Sequence, residues 1–217
     1  GFDWERLFRF ADEQAILGVV YEGVRRLGKS DEKPPMELLM EWLGVAEQNT
    51  GLNKAINQAA VNLTAKLKKD GFECCILKGQ GNNLLYPNVY ARTPGDIDVW
   101  IKRHNNRITR HNNIRTEINI RTEINIRTEI NDVISYVREQ SPEARAEYHH
   151  VDGMECDGIE VEVHYRPSFM FNPVHNHRLQ KWFGSHASEQ LAHVVELADG
   201  AGEVAVPTGE FNIVFQL

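Results

Sequence analysis

The strongest constraint on the fold is a change of hydrophobic period at residue 70. Before this point apolar residues recur every three or four positions, first over 4–27 and again over 36–67, which is the period of an amphipathic helix. A break at 29–35 separates the two stretches, and Asp70 and Gly71 supply a helix stop. The first seventy residues are therefore predicted to be helical, and nothing in them indicates catalysis.

Beyond Gly71 the apolar runs are short and are bounded by glycine, proline or aspartate, which is typical of strands joined by turns and short helices. The pattern predicts a strand at 72–77, a short helix at 82–86, a strand at 96–101 and a helix at 132–139. Asp157 and Gly158 form a hairpin signal between segment 147–155 and an alternating strand at 159–165. Toward the end, short helices are predicted at 179–183 and 189–197, with a strand at 204–206.

Three units are expected along the chain. They are a helical region at 1–70, a core at 71–171 that carries an insertion at 103–131, and a helical and irregular segment at 172–217. The last segment ends on apolar Phe215 and Leu217. This apolar end indicates either that the segment packs inward or that the natural chain continues past it.

The insertion contains a direct repeat, Asn-Ile-Arg-Thr-Glu-Ile, three times within 113–131. A period of six is a multiple of two, so its isoleucines fall on one face of an extended chain, which favours a strand or hairpin. Glu117 and Glu123 each stand four residues before an arginine, the order that supports a helix, so helix and loop stay open. We interpret the repeat as an insertion in a surface loop rather than as a binding site, because added residues in such a loop cost little stability.

The composition excludes several classes of protein. The chain has 24 Lys and Arg against 31 Asp and Glu, a net charge of −7. Binding to nucleic acid needs clustered basic residues, so the composition does not support nucleic acid as a partner. No apolar run approaches the roughly 20 residues of a membrane helix, and the charged beginning is unlike a secretory signal. A cytoplasmic protein with no membrane partner is expected. Its three cysteines, Cys74, Cys75 and Cys156, are odd in number, two are adjacent, and they form neither a CxxC pair nor a zinc spacing, so we expect all three to be reduced.

Two aspartates open the strand predicted at 96–101. Alternation along a strand puts Asp96 and Asp98 on one face and Ile97 on the other. Two like charges so placed repel each other, which is tolerable at a solvated strand end and favourable where a divalent cation lies between them. Oxygen ligands without thiolates suit Mg²⁺ or Mn²⁺ better than Zn²⁺.

The later strand places Glu160, Glu162 and His164 on one face, and either glutamate can complete a metal site. His164 is a candidate to orient the neighbouring carboxylate or to touch substrate. Five histidines suggest a further metal cluster: His149, His150, His164, His175 and His177. Because His175 and His177 fall in a predicted loop with no helix to fix them, a zinc site is the less favoured interpretation.

Together these pieces resemble the uncharacterised bacterial nucleotidyltransferases, a family within the DNA polymerase beta-like superfamily. The strings that carry the likeness are Ile76-Leu-Lys-Gly79, Leu85-Tyr-Pro87, Arg92-Thr-Pro-Gly-Asp-Ile-Asp98 and Glu160-Val-Glu-Val-His-Tyr-Arg166. The likeness covers roughly residues 67–217. It implies an α+β fold with a small mixed sheet flanked by helices. It also implies metals held by Asp96, Asp98 and an acid on a neighbouring strand, which Glu162 matches.

The resemblance implies a Mg²⁺- or Mn²⁺-dependent enzyme that moves a nucleoside monophosphate from a nucleoside triphosphate to an unidentified small-molecule or protein hydroxyl. In such a transfer a cation neutralises the triphosphate and a second can activate the hydroxyl. The backbone amides of Gly79 to Gly81 are expected to bind phosphate oxygens. Lys78 is expected to contact phosphate as a point charge, and the planar guanidinium of Arg92 to bind a terminal phosphate. The alternative is a catalytically silent module that binds nucleotide or a partner protein in the same cleft.

Overall fold

A computed structural model describes residues 1–29, 32–103 and 115–216, without the side chains of 115–126. The helical start of the chain is confirmed, with helices α1 (Trp4–Glu13), α2 (Leu17–Val24) and α3 (Met36–Lys69). The chain turns between α1 and α2 at Ala15, whose φ of 55° lies in the left-handed region. A small apolar cluster around the buried Trp42 joins the three helices.

A mixed sheet lies at the centre of the fold, as expected. Its strands are β1 (Phe72–Ile76), β2 (Ile97–Arg103), β3 (Arg145–Ala146), β4 (His150–Cys156) and β5 (Ile159–His164), in the order β1-β2-β5-β4-β3. β2 and β5 are parallel, and the other neighbours are antiparallel. The predicted hairpin joins β4 to β5 through Asp157 and Gly158, whose φ values of 53° and 77° are both positive, as a tight hairpin turn of this kind requires.

Helices cover both faces of the sheet. α3 packs on one face together with α5 (Arg115–Gln140), where Leu63 and Val137 meet the buried Val99 and Val163. The other face is covered by α6 (Pro173–Ala192) and α7 (Gly209–Gln216). The one-turn helix α4 (Gln80–Asn83) follows β1, and a two-stranded sheet of β6 (Val194–Glu196) and β7 (Glu203–Ala205) lies between α6 and α7 along the chain.

The strand interpretation of the repeat is wrong, because residues 115–131 belong to α5. β2, which precedes the repeat, is already paired with β1 on one side and β5 on the other, so a following strand would find no free edge on it. A helix instead buries Val133 and Val137 against the sheet, and the Glu-to-Arg spacing of four suits it. Residues 113 and 114 of the repeat lie outside the described residues.

The structure of the last segment differs from the prediction in one respect. The helix predicted at 189–197 is wrong beyond residue 192, because α6 ends at Ala192 and β6 begins at Val194, where it pairs with β7. Apolar Phe211 and Phe215 of α7 are buried against the sheet. No helix in the described part of the chain combines the length and the apolar character that crossing a membrane requires.

The position of α5 predicts that most of the repeat is dispensable for folding. Its described contacts with the sheet come from the C-terminal half, and Lys102 Nζ lies 4.0 Å from Glu129 Oε2, so the two ends of the insertion are close. Replacing residues 104–126 by a six-residue Gly-Ser linker should change the melting temperature by no more than a few degrees. As the control, Val137→Ala should destabilise the protein by about 1–3 kcal/mol. Loss of cooperative unfolding in the deletion variant would contradict the prediction.

Candidate functional site

The carboxylate of Asp98 lies at the centre of the candidate site. The parallel register of β2 and β5 pairs Asp98 with Glu162 and Trp100 with His164, so all four side chains share the face covered by α6 and α7. Oδ1 of Asp98 lies 2.8 Å from Nζ of Lys78 and 3.0 Å from Nε2 of His164. The Asp98 side chain is only 7% exposed. The expectation of a solvated strand end is therefore wrong for Asp98, because two groups of the protein neutralise it in the interior.

Asp96 occupies a different environment. It precedes β2, is half-buried, and lines an open cavity of about 300 Å³ with Glu160 and Glu162. Burial raises its pKa, and the negative charges of Asp98 and Glu162 raise it further. Among the residues that the structure describes, Asp98, Glu162 and His164 offer ligand atoms within 4.8 Å of one another, and Asp96 belongs to no such group. A shared metal at Asp96 and Asp98 stays a prediction.

Of the two glutamates left open by the sequence, Glu162 lies closer to Asp98. Its Oε2 is 3.5 Å from Nε2 of His164, and a hydrogen bond with that ring is the main reason why the pKa of Glu162 is lowered. Glu160 is exposed and pairs across the hairpin with Glu155. The geometry supports Glu162 as the third acid of the site.

Asp98 and His164 hold each other in their charged forms. Burial opposes ionisation of Asp98, but hydrogen bonds with His164 and Lys78 outweigh it and lower the pKa of Asp98 to about 2. Burial also disfavours the imidazolium of His164, yet its bonds to Asp98 and Glu162 raise the pKa of His164 above its ordinary value. The ionised form of Asp98 is therefore favoured by Lys78 and by the protonated form of His164.

The loop after β1 brings Gly79 close to the guanidinium of Arg92 and to the backbone carbonyl of Asp96. Gly79 has a φ of 51°, which glycine adopts most readily, and the position of a Cβ there would lie 3.8 Å from Nη1 of Arg92. That nitrogen is buried and has no hydrogen-bond partner among the described residues. The amide of Gly81 donates to the carbonyl of Lys78 at 2.9 Å, so this amide of the expected cradle is used inside the turn.

A network of buried amides, which the sequence analysis missed, holds this loop on α3. Nδ2 of Asn53 donates to the carbonyl of Arg92 at 2.9 Å, and its Oδ1 accepts from Nδ2 of Asn83 at 2.9 Å. Nε2 of Gln80 donates to Oδ1 of Asn57 at 2.7 Å. The available signal was three asparagines at intervals of four on the apolar side of α3: Asn49, Asn53 and Asn57.

The five histidines separate into two groups. His149, His150 and His164 come together, with ring centroids 4.5 to 5.2 Å apart. His175 and His177 lie on α6, so their placement in a loop was wrong, because Pro173 begins a helix there that Asn172 caps by accepting from two amides. The structure thus brings together three of the five histidines.

Comparison with known proteins gives one family. A family model described as "uncharacterised nucleotidyltransferase" matches residues 1–199, which is most of the chain. No curated protein and no solved structure shows a significant match to it.

The amide network predicts a stability loss from Asn53→Ala. The substitution would remove the donor to the part-buried carbonyl of Arg92 and one of the two acceptors of Asn83 Nδ2, which keeps Oε1 of Gln80. We expect a loss of about 1–3 kcal/mol. Gln58→Ala, on the exposed side of the same helix, is the matched control and should change stability by less than about 0.5 kcal/mol. Urea denaturation measures both, and equal effects would contradict the prediction.

The Asp98–His164 pair predicts a pH dependence of stability. Because the folded protein raises the pKa of His164, its contribution is complete below about pH 6.5 and is lost as the pH rises through the raised pKa. The contribution of Asp98, whose pKa falls to about 2, is present above about pH 4 and is lost as the pH falls. The free energy of unfolding should therefore decrease as the pH rises above about 6.5.

Two variants test whether the Asp98–His164 pair causes this pH dependence. Asp98→Asn should flatten the decrease, because it removes the carboxylate that holds the proton on His164. Asp96→Asn is the matched control and should keep the decrease, because Asp96 makes no hydrogen bond to that ring. An equal slope in the wild type and Asp98→Asn, measured by urea denaturation at a series of pH values, would show that another group is responsible.

Proposed function

The chain belongs to the uncharacterised nucleotidyltransferase family, and we propose that it is a metal-dependent enzyme that moves a nucleoside monophosphate from a nucleoside triphosphate to a hydroxyl group. The observation that carries this proposal is the pairing of Asp98 with Glu162 across the parallel strands β2 and β5. Two carboxylates on adjacent strands, one of which lines an open cavity, form a suitable setting for a divalent cation.

The donor set fits Mg²⁺ or Mn²⁺. Asp98 and Glu162 supply oxygen ligands, and we assign Asp96, at the cavity mouth, as the third ligand. Both hydrogen bonds to Asp98 end on Oδ1, so the carboxylate keeps a second oxygen for a cation. When bound, the cation neutralises the triphosphate and stabilises the leaving pyrophosphate.

Arg92 and Lys78 are the groups that we assign to phosphate. The buried Nη1 of Arg92 has no partner among the described residues, and a phosphate oxygen would satisfy it, since a guanidinium fork matches phosphate geometry. Lys78 lies half-exposed at the same edge, with its ammonium on Asp98, and can reach a phosphate as a point charge. Gly79 lies between them and has no side chain, so the backbone at this position can approach a phosphate closely.

His164 is a positioning residue in this proposal. It is fully buried, donates from Nε2 to Asp98, and has Nδ1 3.3 Å from the carbonyl of Arg166. A ring held at both nitrogens fixes the orientation of the Asp98 carboxylate. The acceptor hydroxyl would enter from the cavity that Asp96 and Glu162 line.

One observation favours a second candidate function, a catalytically silent module that binds nucleotide or a partner protein in the same cleft. Lys78 and His164 already neutralise Asp98, so the carboxylate is satisfied by groups of the protein. In a silent module these two residues would remain on Asp98, and nucleotide would bind without being cleaved.

Pyrophosphate release tests the proposal. The protein is incubated with each of the four common nucleoside triphosphates, with Mg²⁺, Mn²⁺ or chelator, and with a cell extract as the source of acceptor. We expect metal-dependent pyrophosphate release that Asp96→Asn and Glu162→Gln each reduce at least a hundredfold, which corresponds to about 3 kcal/mol of transition-state stabilisation. Glu160→Gln is the matched control and should retain most of the activity.

Other outcomes assign the function differently. Thermal stabilisation by a triphosphate with no pyrophosphate release would favour the silent module. Equal losses in Glu160→Gln and Glu162→Gln would show that the third acid has been misplaced on β5. Label from the α-phosphate appearing on a small molecule or on a protein of the extract would identify the class of acceptor.

A further inference from the structure

We propose that His149, His150 and His164 form a binding site for a late first-row divalent cation such as Zn²⁺ or Co²⁺. The site differs in chemistry from the carboxylates of Asp98 and Glu162, because its donors are imidazole nitrogens, which suit these ions better than Mg²⁺. The proposal does not depend on nucleotidyl transfer.

The backbone holds the three rings on rigid elements. His150 in β4 is directly opposite His164 in β5. His149 immediately precedes β4, and its carbonyl accepts from the amides of Tyr165 and Arg166 at 3.0 and 3.1 Å. Ligands placed on paired strands keep their relative positions better than ligands on a free loop.

The second nitrogens of two rings are already oriented. Nε2 of His150 lies 3.0 Å from Oδ1 of Asp152, and Nδ1 of His164 lies 3.3 Å from the carbonyl of Arg166. Histidines that bind metals almost always use the other ring nitrogen in this way, to a carboxylate or a carbonyl. This leaves Nδ1 of His150 facing His149, while Nε2 of His164 lies 3.0 Å from Oδ1 of Asp98.

The distance between the facing nitrogens of His149 and His150 suits a single ion. Nδ1 of His150 lies 3.2 Å from Nε2 of His149, and two nitrogens bound to one tetrahedral zinc at about 2.0–2.1 Å are about 3.3 Å apart. One nitrogen of His164 lies within 4.8 Å of both other rings.

Two carboxylates lie beside the cluster. Asp152 and Glu162 offer carboxylate oxygens within 4.8 Å of His150. Three nitrogen ligands leave the fourth position of a tetrahedral ion open to water, the arrangement of zinc sites that take part in chemistry. Binding by His164 would take Nε2 from Asp98 and release the proton of that nitrogen to solvent, so the ion and Asp98 compete for that ring.

The test is a Co²⁺ titration of the tag-free protein, followed by the visible absorption of the bound ion and then by displacement with Zn²⁺. We expect one ion per chain, displacement by Zn²⁺, and no displacement by an excess of Mg²⁺. His149→Ala and His150→Ala should each weaken binding at least tenfold. The double variant His175→Ala/His177→Ala is the matched control, because it removes two exposed histidines of α6, and it should bind like the wild type.

Three results would overturn the proposal. They are no absorption from bound Co²⁺ in the wild type, unchanged affinity in both the His149 and His150 variants, and an equal loss in the α6 control. Cobalt bound by the cysteines would leave the histidine variants unaffected and therefore belongs to the second result. His149→Gln and His150→Gln, which keep much of the side-chain volume, are titrated if circular dichroism shows that an alanine variant has not folded, and the same criteria apply to them.

Discussion

The geometry of the site depends on the neutralisation of one buried carboxylate. An unpaired charge at the position of Asp98 would cost several kcal/mol, so the fold must bring cations to it. Lys78 arrives from the loop after β1, and His164 from the parallel strand β5. Lys78, Asp98 and His164 come from three separate segments of the chain, and they meet at Oδ1 of Asp98.

The helical start of the chain does more than cover the sheet. α3 buries Leu63 and Leu67 against one face, and through Asn53 it also satisfies the backbone of the segment that carries Arg92. Buried amides of this kind are costly when left unpaired, so the loop and the helix position each other. The family match from residue 1 agrees with a site whose support extends into the helical region.

The sequence predicted the elements whose patterns are local. The hairpin at Asp157 needs only its turn and its alternation, and the helix stop at Asp70 needs only its neighbours. The repeat could not be assigned, because a period of six permits a strand and the glutamates permit a helix. The choice came from β2, whose two edges are already paired. The burial of Asp98 was likewise unpredictable, since alternation identifies a face without identifying the helices that cover it.

His164 is the residue common to the oxygen and the nitrogen donor sets. While it donates to Asp98 it keeps that carboxylate neutralised, and the histidine cluster lacks one ligand. A cation on His149 and His150 that takes Nε2 of His164 leaves Asp98 with Lys78 alone. That exchange replaces one proton on His164 by an ion with two positive charges close to Asp98 and Glu162, so it disfavours Mg²⁺ at the carboxylates. Because such coupling is reciprocal, an ion at either set disfavours an ion at the other, and the shared ring is sufficient to link them.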